Sequence, residues 1–146
     1  IWTMKKNKIP APRQTGEIFE EYAADFYAER GYAILFHSFQ YKQYEIDLIV
    51  KKGDTVVFVE VKARNAKHQT DPLDRIDNKK MMNIFRCSEG FKQFLRQKHI
   101  ATDELHFRYD GIGILYDDEK NVLQIDWEKD YYRPARHIYD WWEDGY

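Results

Sequence analysis

Residues 45–62 read Glu-Ile-Asp-Leu-Ile-Val-Lys-Lys-Gly-Asp-Thr-Val-Val-Phe-Val-Glu-Val-Lys, and they decide the fold. From Thr55 the run is β-branched or aromatic almost to its end, the composition of a strand covered on both faces. Gly53-Asp54, glycine first, is a two-residue hairpin connection that pairs Lys52 with Thr55. Counting back in that register sets Val50 against Val57, Leu48 against Val59 and Ile46 against Val61, which makes one continuous apolar face. Because side chains alternate along a strand, the other face sets Ile49 against Phe58, Asp47 against Glu60 and Glu45 against Lys62. A slip of one residue would turn Asp47 to the apolar face, so the reading depends on a loop of two.

Like charges directly opposite each other destabilise a sheet. Two facing carboxylates on a partly buried surface must share either a proton or a cation, and oxygen-only ligands favour Mg²⁺ or Mn²⁺. The cation is the reading adopted. Lys62, roughly 7 Å beyond Glu60 on the same face, would orient a water or an anionic substrate oxygen beside it. An exposed cross-strand ion pair worth about 0.2–1 kcal/mol explains a lone Glu-Val-Lys strand end. It does not explain Asp47 facing Glu60 beside Lys62, behind three successive apolar pairs.

Upstream, Thr15 is a candidate N-cap, and Ile18, Phe19, Tyr22, Ala23, Phe26 and Tyr27 recur at helical spacing before a Gly31 stop. Glu17 lies in the first turn, where the helix dipole favours a carboxylate, and Glu20 and Glu21 extend the acidic surface. Tyr32 to Phe39 reads as a first strand. His37 within it is given no role. Downstream, Arg64 to Asp71 lacks apolar periodicity and is expected to be a loop closed by Pro72. From Asp74 or Asp77 to Lys98, Ile84, Phe85, Ser88, Phe91 and Leu95 form a helical stripe, with Gly90 a weak point costing about 1 kcal/mol relative to alanine. Phe107–Tyr116 and Val122–Trp127 are expected to form a hairpin across the acidic turn 117–121.

The 146 residues suit one domain, 15–127, between a flexible arm (1–14) and an aromatic, acidic tail (128–146). The tail is expected to pack on the body or on a second copy, which makes a homodimer a candidate assembly. A single cysteine, Cys87, excludes an internal disulfide, and its helical position reads as core. No apolar run approaches a bilayer span of about 20 residues, and Met4-Lys5-Lys6-Asn7-Lys8 leads into Pro10 and Pro12 instead of a signal core. The expected compartment is the cytoplasm, with no membrane partner. Net charge is −2, but residues 51–100 hold twelve Lys and Arg against six Asp and Glu, whereas residues 101–146 hold five against twelve. Arg64, Lys67, Arg75, Lys79 and Lys80, with Lys62, are therefore candidates for a nucleic-acid phosphate surface; the competing reading is a solvated basic face.

Helix, three strands, helix and further strands, with an early glutamate, a strand aspartate and Glu-x-Lys, resemble the PD-(D/E)xK nuclease superfamily. More narrowly, the chain resembles its YraN-like proteins. Gly16-Glu17, Gly31-Tyr32-Ala33-Ile34-Leu35, Glu45-Ile46-Asp47-Leu48-Ile49, Phe58-Val59-Glu60-Val61-Lys62, Lys79 and Asp110 carry the resemblance, over about Thr15 to Leu115. Tyr44 stands where that family usually has glycine, and Lys80 where glutamine often follows the helix lysine.

The resemblance implies an α/β, restriction-endonuclease-like αβββαβ core: a central mixed sheet flanked by helices, extended here by a C-terminal hairpin. It also implies metal-dependent cleavage of phosphodiesters, DNA before RNA. Asp47 and Glu60 would be direct ligands, the Val61 carbonyl a third, and Glu17 and Glu45 an outer or second-metal shell. Lys62 would position the attacking water and Lys79 a non-bridging oxygen. The alternatives are a non-catalytic nucleic-acid-binding or processing-complex subunit, and an RNA nuclease cutting tRNA.

Overall fold

In the computed structural model, which describes residues 15–68 and 78–131, the quoted stretch forms the middle of a five-stranded mixed sheet. The elements are α1 (Thr15–Ala28), β1 (Ala33–Tyr41), β2 (Tyr44–Lys52), β3 (Thr55–Asn65), α2 (Asn78–Gln97), β4 (His106–Tyr116) and β5 (Val122–Glu128). Strands follow one another across the sheet in chain order, so β3 is central. Neighbours run antiparallel except β3 and β4, which the α2 crossover makes parallel. This is the expected α/β order, with the β4–β5 hairpin completing the sheet. Strand β1 begins and ends slightly later than its expected span.

The two helices cover opposite faces, which is why β3 is apolar on both sides. Against α1, with Phe19, Ala23, Ala24 and Tyr27, lie Leu48, Val50, Val57, Val59, Ile112 and Ile114. Against α2, with Ile84, Cys87, Phe91 and Leu95, lie Ile49, Val56, Phe58 and Tyr109. Cys87 is a core residue, its thiol 3.6 Å from the Phe39 carbonyl and pushed up to about 11 by burial. Helix α1 stops where expected: Gly31 takes φ +89°, the Tyr32 amide returns to the Tyr27 carbonyl and the Gly31 amide to that of Ala28. That pair of bonds is the left-handed glycine closure that satisfies a helix's last carbonyls.

Three expectations are corrected. Gly90 is no weak point in α2: a Cβ there would lie 2.2 Å from the ring of Tyr41, so only glycine lets that ring lie on the helix. Arg64 is not in a loop, because β3 continues through Asn65 in register with β4, pairing Arg64 with Leu115. The hairpin turn is the expected one, with Gly53 at φ +60° and Lys52 opposite Thr55, but the β2–β3 ladder stops at Leu48–Val59. Beyond that point β2 stays with β1 as far as Tyr41–Tyr44, while β3 stays with β4 as far as Asn65–Tyr116. The sheet forks there. Ile46, expected opposite Val61, instead joins the α2-side core.

Charge enters the body at one further place. Asp110, on β4 and fully buried, accepts hydrogen bonds from Tyr27, from Trp127, from the Asp130 amide and, bidentately, from Arg108. Burial opposes its charge, but these donors, Arg108 first, hold the carboxyl below its usual range. The network ties α1, β4 and β5 together and keeps the chain docked as far as Tyr131, whose amide bonds the Tyr109 carbonyl. The expected arm 1–14, residues 69–77 with the rest of the expected loop and the expected start of the second helix, and the tail from 132 with its candidate dimer contact lie outside the described residues. Among the described residues, no helix is long and apolar enough to cross a membrane.

Candidate active site

The fork between β2 and β3 holds the carboxylates. Asp47 leaves the ladder just beyond Leu48, and its Oδ2 accepts the Val61 amide at 2.8 Å. This side-chain bond takes the place of the cross-strand pairing expected there. Glu60, only 7% exposed, ends the continuous apolar run Val56–Val59 of β3, and its side chain lies close enough to Asp47 for the two charges to interact. The ladder partners of Glu60 and Lys62 on β4 are Gly111 and Gly113, so β4 contributes backbone and no side chain beside them.

Burial, then the charge of Asp47, pushes Glu60 up to about 8. Asp47 is also raised, chiefly by burial, against the pull of the Val61 amide and Lys80. Both carboxyls therefore hold a proton more readily than exposed ones do. Lys80, in the first turn of α2, brings its Nζ to 3.3 Å from Glu60 Oε1. Burial lowers the Lys80 ammonium, but Glu60, Asp47 and Glu45 more than compensate, so it is held above its usual range and stays charged. The Lys80 ammonium thus sets a positive charge against the two carboxyls.

Glu20, one turn along α1 from Glu17, faces the same place. It is half-buried, accepts the Ser38 hydroxyl at 3.3 Å and is raised to about 7, first by burial and then by Asp47, with smaller contributions from Glu45 and Glu17. Ser38 stands at φ +53°, in the left-handed region that non-glycine residues seldom adopt.

The other expected site residues are distributed as follows. Glu17 and Glu45 are exposed, and Glu45 accepts a bond from Gln40 at 3.0 Å. Val61 and Lys62 are half-buried on β3. Lys79 is exposed, and it is its neighbour Lys80 that reaches the carboxylates. Arg64 is half-buried, with a bond to the Ala63 carbonyl, while Lys67 is exposed and paired with Asp118 at 2.9 Å. Arg75 lies outside the described residues. Sequence reasoning left out Glu20 as a site residue; its spacing of three from Glu17 was the available signal.

Among the described residues, no group of three or more His, Cys, Asp or Glu side chains gathers as a metal cage. The donor set is nonetheless that of a hard cation. Mg²⁺ typically uses one or two carboxylates, keeps several waters and takes further oxygens from substrate phosphates. Two neighbouring carboxyls whose charges burial disfavours fit such an ion.

The sequence is similar to proteins of several organisms. A protein of Caldicellulosiruptor bescii is 35% identical over 118 residues, covering 81% of this chain and 96% of its own. One from Alkaliphilus oremlandii is 33% identical over 108 residues, covering 74% and 90%. One from Thermotoga neapolitana is 43% identical over 79 residues, covering 54% and 69%. Each is named only as a UPF0102 protein. The profile of Uncharacterised protein family UPF0102 matches residues 19–114, from the first turns of α1 into β4 and so across Glu20, Asp47, Glu60, Lys62 and Lys80. This chain therefore belongs to Uncharacterised protein family UPF0102, the YraN-like group.

Proposed function

We propose that the protein is a Mg²⁺- or Mn²⁺-dependent phosphodiesterase that cleaves DNA, branched or processed DNA included. The observation that carries this reading is Asp47 held on the Val61 amide at 2.8 Å, next along β3 to the buried Glu60, with an ammonium 3.3 Å from Glu60. When bound, a divalent ion supplies Lewis-acid polarisation of a phosphoryl oxygen and a water acidic enough to attack near neutral pH. Asp47 and Glu60 are the residues that would hold it, with the Val61 carbonyl beside them. The Val61 amide fixes Asp47 in place, so little side-chain entropy remains to be lost on binding. Lys62 aligns the attacking water or stabilises charge on the phosphate, and Lys79 holds a non-bridging oxygen. Glu20, Glu17 and Glu45 form the outer acidic shell, with Glu20 raised by Asp47 and Glu45 raising Asp47 in turn. In this reading the protein works in the cytoplasm, where nucleic acid and Mg²⁺ are both available.

The test is cleavage of duplex, branched and single-stranded DNA and of RNA by purified protein with Mn²⁺, compared with Glu60→Gln. Losing one of two ligands is expected to cost at least about 100-fold in rate without unfolding the chain. Equal rates for the two proteins would overturn the reading. RNA cut in preference to DNA would replace the substrate and keep the chemistry. A second reading, a nucleic-acid-binding or processing subunit without turnover, is favoured by one observation: among the described residues no third His, Cys, Asp or Glu side chain joins the two carboxylates. Tight binding with no cleavage under any divalent ion would select it.

A further inference from the structure

We propose that the Lys80 ammonium is the resident counter-ion of the Asp47–Glu60 pair, which a divalent cation must displace and which then passes to a phosphate of the bound nucleic acid. The inference rests on the metal-dependent reading above and adds a residue that couples metal to substrate.

Its basis is geometric. The first turn of α2 contains Lys79 and Lys80 and no acid, although the positive end of a helix disfavours cations. Helix stability therefore does not account for Lys80. What it does make is a contact across to β3, 3.3 Å from Glu60 Oε1. The two partners differ in freedom: the Glu60 side chain is 8% exposed and fixed in the fork, whereas that of Lys80 is 44% exposed and lies at the mouth. A lysine head on a flexible four-carbon stem can withdraw without moving the backbone. Glu60 cannot.

A doubly charged ion using the Glu60 oxygen would repel an ammonium at that distance, so the two occupants exclude each other. Once released, the ammonium needs a new anion, and a phosphodiester at the same mouth supplies one. Each ligand then eases entry of the other, and thermodynamic reciprocity makes the two effects equal.

The test measures Mn²⁺ affinity by electron paramagnetic resonance on the full chain and four variants: Lys80→Gln, Lys80→Arg, Lys79→Gln and Glu60→Gln. Without nucleic acid, Lys80→Gln is expected to bind Mn²⁺ about tenfold more tightly than wild type, with Lys80→Arg and Lys79→Gln within about twofold of wild type. A nuclease-resistant duplex should tighten Mn²⁺ binding to wild type and not to Lys80→Gln. If wild-type binding is lost in Glu60→Gln but unchanged in Lys80→Gln, the counter-ion role is overturned and the metal reading stands. If none of the proteins binds Mn²⁺ through Glu60, both fall. Should Lys80→Gln fail to fold, the wild type decides: Mg²⁺ titration followed on the lysine side-chain nitrogen signals should shift Lys80 most. A Lys80 signal unmoved at saturation overturns the proposal.

Discussion

Replacing Glu60 with glutamine should stabilise the protein above neutral pH while leaving it little changed near pH 5. In the folded chain burial first, and Asp47 second, lift this carboxyl from 4.5 to about 8. A group whose folded pKa lies above its unfolded value holds its proton more tightly when folded. Its stabilising contribution is therefore complete below 4.5 and is lost as pH climbs to about 8. The limiting slope is about 1.4 kcal/mol per pH unit, so from about pH 5 to 7.5 the wild type should lose about 3 kcal/mol through this group. Glutamine has nearly the same shape and offers Asp47 an N–H at every pH, so the variant lacks that loss. Glu20, half-exposed and raised to about 7, gives both proteins a weaker slope of the same sign, which the difference removes. Urea unfolding at half-unit intervals across this range, without divalent ions, measures the gap. Parallel curves for the two proteins would refute the raised Glu60 carboxyl.

Two further outcomes concern the body. Asp110→Asn, which leaves Arg108 without its bidentate partner in a buried place, should cost about 3–5 kcal/mol in chemical denaturation; a loss below about 1 kcal/mol would show the network to be dispensable. Gly90→Ala should destabilise by about 1–3 kcal/mol through overpacking against Tyr41. In a Tyr41→Ala background the same change should stabilise by about 0.5–1 kcal/mol, since only helix propensity then remains, and thermal unfolding of the four proteins closes the cycle.

What the chain discloses before folding follows the range of the forces involved. The Gly53-Asp54 turn and the Val56–Val59 run are governed by neighbours a few residues away, and the register through Leu48–Val59 is legible from them. The end of that ladder is not, because it is set by what β1 and β4 do to the strands beside them. The same limit hid Glu20: on α1 it reads as one more surface acid, and only the seating of that helix on the sheet brings it to Asp47. Lys79 and Lys80 differ by about 100° around a helix, so choosing between them required the phase of α2, which its own pattern does not fix relative to β3. Gly90 reads as a defect until the ring of Tyr41, 49 positions earlier, is placed against it.

The parting of β2 from β3 has a mechanical consequence. Each wall of the cleft is a strand pair stitched by its own ladder, β1 with β2 and β3 with β4, and the two walls join at Leu48–Val59 like the arms of tweezers at their pivot. Twisting one pair against the other would spare every ladder bond but strain the Val61–Asp47 bond that crosses the gap. The spacing of the acidic pair is thus tied to that crossing bond, on a base packed solidly between two helices.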